Sequence, residues 1–112
     1  MPESFDRGAL TEAVYYILLS LHEPMHGYAI MQNIERLTEG RVILGAGTLY
    51  GAINALVQKG WIAAVAGDVD SRKKEYIITG SGKNAFLVEI ERLKELVENG
   101  ENTVSTVKGI KQ

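Results

Sequence analysis

Arg72, Lys73 and Lys74 are three adjacent cations in a polar segment, the kind of cluster that lies along a phosphate backbone. Upstream, Thr48, Tyr50, Asn54 and Gln58 carry hydroxyl and amide groups within one stretch of helical periodicity. Such groups at the start of a helix can hydrogen-bond phosphate oxygens or base edges. Gly45, Gly47 and Gly51 fall in the same stretch. A glycine inside a helix costs about 1 kcal/mol relative to alanine, and its return is a backbone that can sit close against a phosphate.

Other chemistries find no support. His22 and His26 flank Glu23, but a zinc site needs three or four ligands and the chain has no cysteine to complete one. His26 is expected to hydrogen-bond at the start of a helix instead. Ser20, Ser71, Ser81 and Ser105 have no histidine and acid arranged to activate them. No Gly-Lys-Ser/Thr follows the glycines, so they do not read as a nucleotide loop. The expectation is therefore no catalytic residues, no metal and no cofactor.

The elements that must position the polar groups are legible in the apolar spacing. Leu49, Ile53, Leu56 and Val57 recur at i, i+4, i+7 and i+8, which buries one helix face and leaves the other free. Gly60 suits a left-handed helix cap, after which Trp61 and Ile62 begin a strand. "WIAAV" and "KEYIIT", separated by polar "AGDVDSRKK", predict a hairpin with a long loop. Before them, Leu10, Val14, Ile17, Leu18 and Leu21 mark a first helix ending before Pro24, with "HEPMHGY" as a turn. A second helix is expected from about Tyr28 to Thr38, burying Ile30, Ile34 and Leu37, with Gly40 as its cap. "RVILG" reads as a short strand pairing with the hairpin. The last helix is expected from about Gly82 to Asn99, with Thr79 capping its start and Phe86, Ile90, Leu93 and Val97 as a narrow seam. "GENTVSTVKGIKQ" is polar and reads as a disordered tail.

The chain's 112 residues support one domain of modest core, which pairing would complete. Its net charge of −2 is at odds with phosphate binding until it is divided along the chain. Residues 41–88 carry six cations against three anions, whereas residues 1–40 carry two against six. The basic charge thus falls on the segment with the helix and hairpin. The apolar run from Ala13 to Leu21 is far short of the roughly 20 residues a membrane span needs, so no membrane association is expected. The lack of cysteine fits a reducing cytoplasm.

Taken together, "HGYAI", "GTLYGAINALVQKGWI" and "SRKKEYIITGSGKNAF" resemble the PadR family of bacterial transcriptional regulators, over roughly residues 8 to 98. Gly51 and Gly47 depart from the family's usual residues. The resemblance implies a mainly α fold with a small β-hairpin wing (α+β): a winged helix-turn-helix plus a C-terminal dimerisation helix. The corresponding divisions are 1–80 for DNA binding, 81–99 for dimerisation and 100–112 for the tail. It implies a homodimeric repressor on double-stranded DNA with an inverted-repeat operator. Gly45, Gly47, Thr48, Tyr50, Gly51, Asn54, Gln58, Arg72, Lys73 and Lys74 would meet DNA, with Tyr50 near the backbone. Leu10, Val14, Phe86, Ile90, Leu93 and Val97 would meet the partner. Tyr15 and Tyr16 could face that interface, where some small members bind flat aromatic effectors using a tryptophan in the last helix. This chain has only Trp61, on the wing strand, so stacking of an effector on a last-helix tryptophan is not expected here, and a small aromatic or hydrophobic effector stays open as a partner. Tyr28 and Tyr76 are expected to be buried. Two other classes stay open: a winged-helix module that binds an acidic protein, and a ligand-binding dimer without DNA contact.

Overall fold

The computed structural model describes residues 8–65 and 74–111, with side chains to residue 107. Helix α1 spans Glu12–Ser20. Thr11 caps it, its hydroxyl oxygen accepting from the Val14 N–H at 3.1 Å, so one of the first turn's orphan donors is satisfied. Strand β1, Met25–His26, leads directly into α2, Gly27–Leu37. His26 caps α2 as expected, Nδ1 accepting from the Ala29 N–H at 3.2 Å. The helix ends where Gly40 takes φ +81°, with its N–H on the Glu35 carbonyl at 2.8 Å.

Helix α3 is Ala46–Lys59, and Gly60 ends it in the left-handed conformation at φ +80°. The Trp61 N–H then reaches back to the Leu56 carbonyl at 3.0 Å, aiming the chain into β2, Ile62–Ala64. β2 pairs antiparallel with β3, Glu75–Ile78, in the register Ile62 to Ile78 and Ala64 to Tyr76. β1 pairs on the other edge of β3, so the sheet order is β1-β3-β2. Helix α4 runs from Gly80 to Lys111. Thr79 joins three elements. Its side chain accepts from the Gly82 N–H at 3.1 Å and donates to the Gly60 carbonyl at 2.6 Å, while its N–H bonds the Trp61 carbonyl at 2.9 Å.

The core lies where α1, α2 and α3 meet the sheet. Ile17, Leu18, Ile30, Ile34, Leu49 and Ile53 are fully buried, and Leu56, Ile62, Ile78 and Phe86 close the cluster. Burying such side chains contributes roughly 1.5–3 kcal/mol each before entropy is charged. Polar pairing inside follows: Ser20 donates to the Tyr16 carbonyl at 2.8 Å and receives the Asn33 amide at 3.0 Å, tying α1 to α2.

Several expectations are corrected. The third strand is Met25–His26 and not "RVILG", whose residues 41–45 are irregular. Thr38 explains this: its hydroxyl accepts from the Val42 N–H at 3.0 Å, and Val42 and Leu44 pack on the core from a loop. The strand position beside β3 is filled by the two residues that immediately precede α2. The segment expected to be a disordered tail is helical as far as Lys111, continuing α4 without a break, although Val97, Val104 and Val107 on it are exposed. Leu37 and Val57 are exposed, at the margins of their helices' buried faces.

Candidate nucleic-acid interface

One face of α3 supplies Leu49, Ile53 and Leu56 to the core. The opposite face must therefore carry what remains, and Gly45, Gly47, Thr48, Tyr50, Gly51, Asn54 and Gln58 are all exposed there. A Cβ at Gly45, Gly47 or Gly51 would meet nothing within 4 Å. Their helix-weakening cost of about 1 kcal/mol each at the two interior positions has no packing explanation within the chain. Tyr50 turns back onto α2: a Cβ at Gly27 would stand 2.1 Å from its hydroxyl oxygen. The ring braces the start of α3 against the start of α2, and only glycine leaves room for it.

Tyr28, which the sequence reading expected to be buried, is corrected by the structure. It is 62% exposed, beside Gly27 in the first turn of α2. The signal was in the spacing, since Tyr28 lies two residues before buried Ile30 and so about 200° around the helix. Tyr76, by contrast, packs against the core from β3.

The charges divide between the surface and internal pairing. Lys74 leads into β3 and is half-buried; Arg72 and Lys73 lie outside the described residues. Lys59 stands over the Trp61 ring at 4.9 Å. Arg41 departs from the expected basic surface by pairing with Glu12 of α1 at 2.5 Å, and its hydrogen bond holds that carboxyl below the usual carboxylate range. Among the described residues no group of three or more His, Asp or Glu is placed to hold a metal ion.

The residues expected at a partner interface separate into two groups. Phe86 belongs to this chain's own core, stacked on Tyr15 at 4.9 Å between ring centroids and edge-on to His22 at 5.0 Å. Leu10 and Val14 pack on the same core. Ile90 and Leu93 are half-buried, and Val97 is 56% exposed. Alongside them runs an open groove of about 340 Å³ lined by Tyr15, Ile90, Leu93, Lys94, Val97, Glu98 and Glu101. A second hollow of about 350 Å³, between Tyr16, Leu10, Glu12 and Arg92, lies on the other side of Tyr15 and Leu93. At its floor Glu89, 4% exposed, accepts two bonds from Arg92, at 2.8 and 2.6 Å, and one from the Leu10 N–H at 3.3 Å. The Arg92 fork, with the Leu10 amide, holds the Glu89 carboxyl below its usual range despite burial.

Two helices joined by a turn, the second presenting a polar outer face, followed by a short antiparallel hairpin, define a winged helix-turn-helix protein. The sequence profile of the PadR-like family of transcriptional regulators matches residues 16–87, and the chain belongs to that family. Its members are regulators of transcription and not enzymes. The chain is similar to the crystal structure of a PadR family transcriptional regulator from Eggerthella lenta, with 26% identity, a TM-score of 0.64, and 93% of this chain covered against 88% of that one. A PadR-like transcription factor from Bacteroides fragilis is 28% identical with a TM-score of 0.62, covering 92% and 96%. A transcriptional regulator from Clostridium thermocellum, 24% identical with a TM-score of 0.58 and covering 88% and 90%, shares the fold. Among curated protein sequences none matches this chain. No helix among the described residues is long and apolar enough to cross a membrane.

Proposed function

We propose that this regulator is a repressor that acts as a homodimer on an inverted-repeat operator, with α3 in the major groove and the hairpin along the adjacent backbone. The observation that carries the reading is the outer face of α3. It offers Thr48, Tyr50, Asn54 and Gln58 around glycines that open directly to solvent, so a groove floor could approach the helix closely. Occluding a promoter needs no activity beyond that binding. A cytoplasmic setting follows from this role.

Release by a small aromatic or hydrophobic effector belongs to the same proposal. The hollow beside Tyr15 and Tyr16 is the site for it, since two aromatic rings and Leu93 offer apolar surface beside the polar Arg92 and Glu12.

The test is capture of genomic fragments by the purified protein, followed by titration of the preferred fragment at several salt concentrations. An enriched inverted repeat with half-sites about one helical turn apart, bound with affinity falling steeply as salt rises, supports the proposal. Failure to bind any duplex at low salt would move the acidic-protein module to first place.

A further inference from the structure

Thr11 opens α1 and Thr79 opens α4 with hydroxyl oxygens, which accept a hydrogen bond whatever the pH around neutrality. Gly45 brings no side chain to the start of α3. Among the described helices α2 alone begins on an imidazole, His26 Nδ1 accepting from the Ala29 N–H at 3.2 Å. An amide N–H can only donate, so Nδ1 presents its lone pair and the proton of the neutral ring sits on Nε2. The lone pair that caps the helix is the one a second proton would take. Capping and charge therefore exclude each other at His26.

The residue sits where three elements meet. It pairs opposite Glu75 on β3, the next residue is the buried Gly27 on which the Tyr50 ring of α3 rests, and the one after is the exposed Tyr28. An N-cap fixes the first turn of its helix by satisfying an orphan amide, and here that turn sets the seat of Tyr50 and the outward aim of Tyr28. The capped bond is part-buried, so water replaces it poorly. The charged and titratable side chains around it, among the described residues, are Lys74 and Glu75 on β3, Tyr50 on α3, Tyr28 on α2 and Glu23 in the preceding turn. His22 is turned away, edge-on to Phe86 with Nδ1 at 3.0 Å from the Leu18 carbonyl. Directly opposite in the ladder, where Cβ atoms lie about 5 Å apart, Glu75 offers a charged ring a carboxylate outside the helix. The positive end of the α2 dipole disfavours a cation where the neutral ring now sits.

We propose that His26 is a positioning residue for DNA reading whose cap is released by protonation. Neutral, it holds the first turn of α2 under Tyr50. Protonated, it leaves the Ala29 amide unpaired, and Gly27 and Tyr28 loosen from α3. The functional half rests on the operator reading above; the cap itself does not. As pH falls through the range in which imidazole gains its proton, about 6.5 for the free ring, operator binding weakens because the two helices of the reading head lose their register. A histidine that faced phosphate would do the opposite and gain affinity as it charged.

Wild type, His26→Asn, His26→Ser and His26→Ala are compared at about pH 7.5 and about pH 5.5, on either side of the imidazole range. Asparagine and serine can cap at both values and alanine at neither, so the series separates the cap from the charge. The first readout is the protection factor of the Ala29 amide in hydrogen exchange, which needs no DNA. On acidification it should fall roughly fivefold further in wild type than in the Asn and Ser variants, and it should be low throughout in His26→Ala. The second is affinity for the preferred operator fragment, which should drop several-fold more in wild type than in the two capped variants. Wild-type protection that ignores pH, or that changes no more than in the capped variants, overturns the proposal. Protection that falls while operator affinity follows the capped variants removes the positioning role and leaves the operator reading standing. Wild-type binding that tightens relative to those variants on acidification would make His26 a phosphate-facing cation and also defeats the proposal. No operator binding by any of the four at either pH would sink the operator reading and the positioning role with it, while the exchange data still decide whether the cap titrates.

Discussion

The Tyr50 ring lies over Gly27 so closely that a methyl group on that glycine would fall 2.1 Å from the hydroxyl oxygen and 2.5 Å from the ring carbon bearing it. The contact joins the first turn of α2 to the second turn of α3, the two helices of the helix-turn-helix. Gly27→Ala is expected to displace the ring and to cost about 1–3 kcal/mol, the usual scale of overpacking. Chemical denaturation would measure it, and in a Tyr50→Ala background most of the cost should vanish. An equal cost in both backgrounds would mean the glycine is needed for some other reason.

Gly82 is packed against groups that cannot give way. A Cβ there would stand 2.1 Å from the Trp61 carbonyl oxygen and 2.7 Å from the Ile78 side chain. The obstacle is backbone belonging to the wing's base, so Gly82→Ala should lift the start of α4 and destabilise more than Gly27→Ala does. Comparing the two denaturation midpoints checks the order.

Glu89 links acid stability to the joint between the N-terminal segment and α4. Its carboxyl is held below the usual range by Arg92, so the folded state binds this proton less readily than the unfolded chain. The stabilisation is fully present above the unfolded value of about 4.3 and is lost as pH falls through the lower folded value. Wild type should exceed Glu89→Gln in urea midpoint at neutral pH, and the gap should close in the acid range. A gap independent of pH would show that the ionised carboxylate contributes nothing.

On the preferred operator, Asn54→Ala or Thr48→Ala should weaken binding by about 1–3 kcal/mol and leave non-specific DNA nearly unaffected. Lys74→Ala should weaken all sequences alike and reduce the slope of log affinity against log salt by about one. Equilibrium titrations on operator and scrambled duplexes separate the two signatures. If Lys74→Ala left the slope unchanged, that cation would not meet a phosphate.

What the sequence by itself determined is what depends on local geometry. The buried stripes of α1, α2 and α3, the caps at His26, Gly60 and Thr79, and the hairpin before α4 follow from periods and turn chemistry that a few neighbouring residues specify. The outward set on α3 followed as well, because a helix with one buried stripe has its other face defined. Only the tertiary structure decided which apolar residues found cover at home. Phe86, Ile90 and Val97 obey one spacing rule, yet Tyr15 and His22 take Phe86 into the core, Ile90 is half covered, and Val97 stands open. Periodicity identifies a face but not what stands opposite it. For the same reason "RVILG" and Met25–His26 could not be ranked as partners of β3, since a two-residue ladder has too little pattern to declare itself. Three-dimensional proximity, and the Thr38 hydroxyl already holding Val42, made that choice.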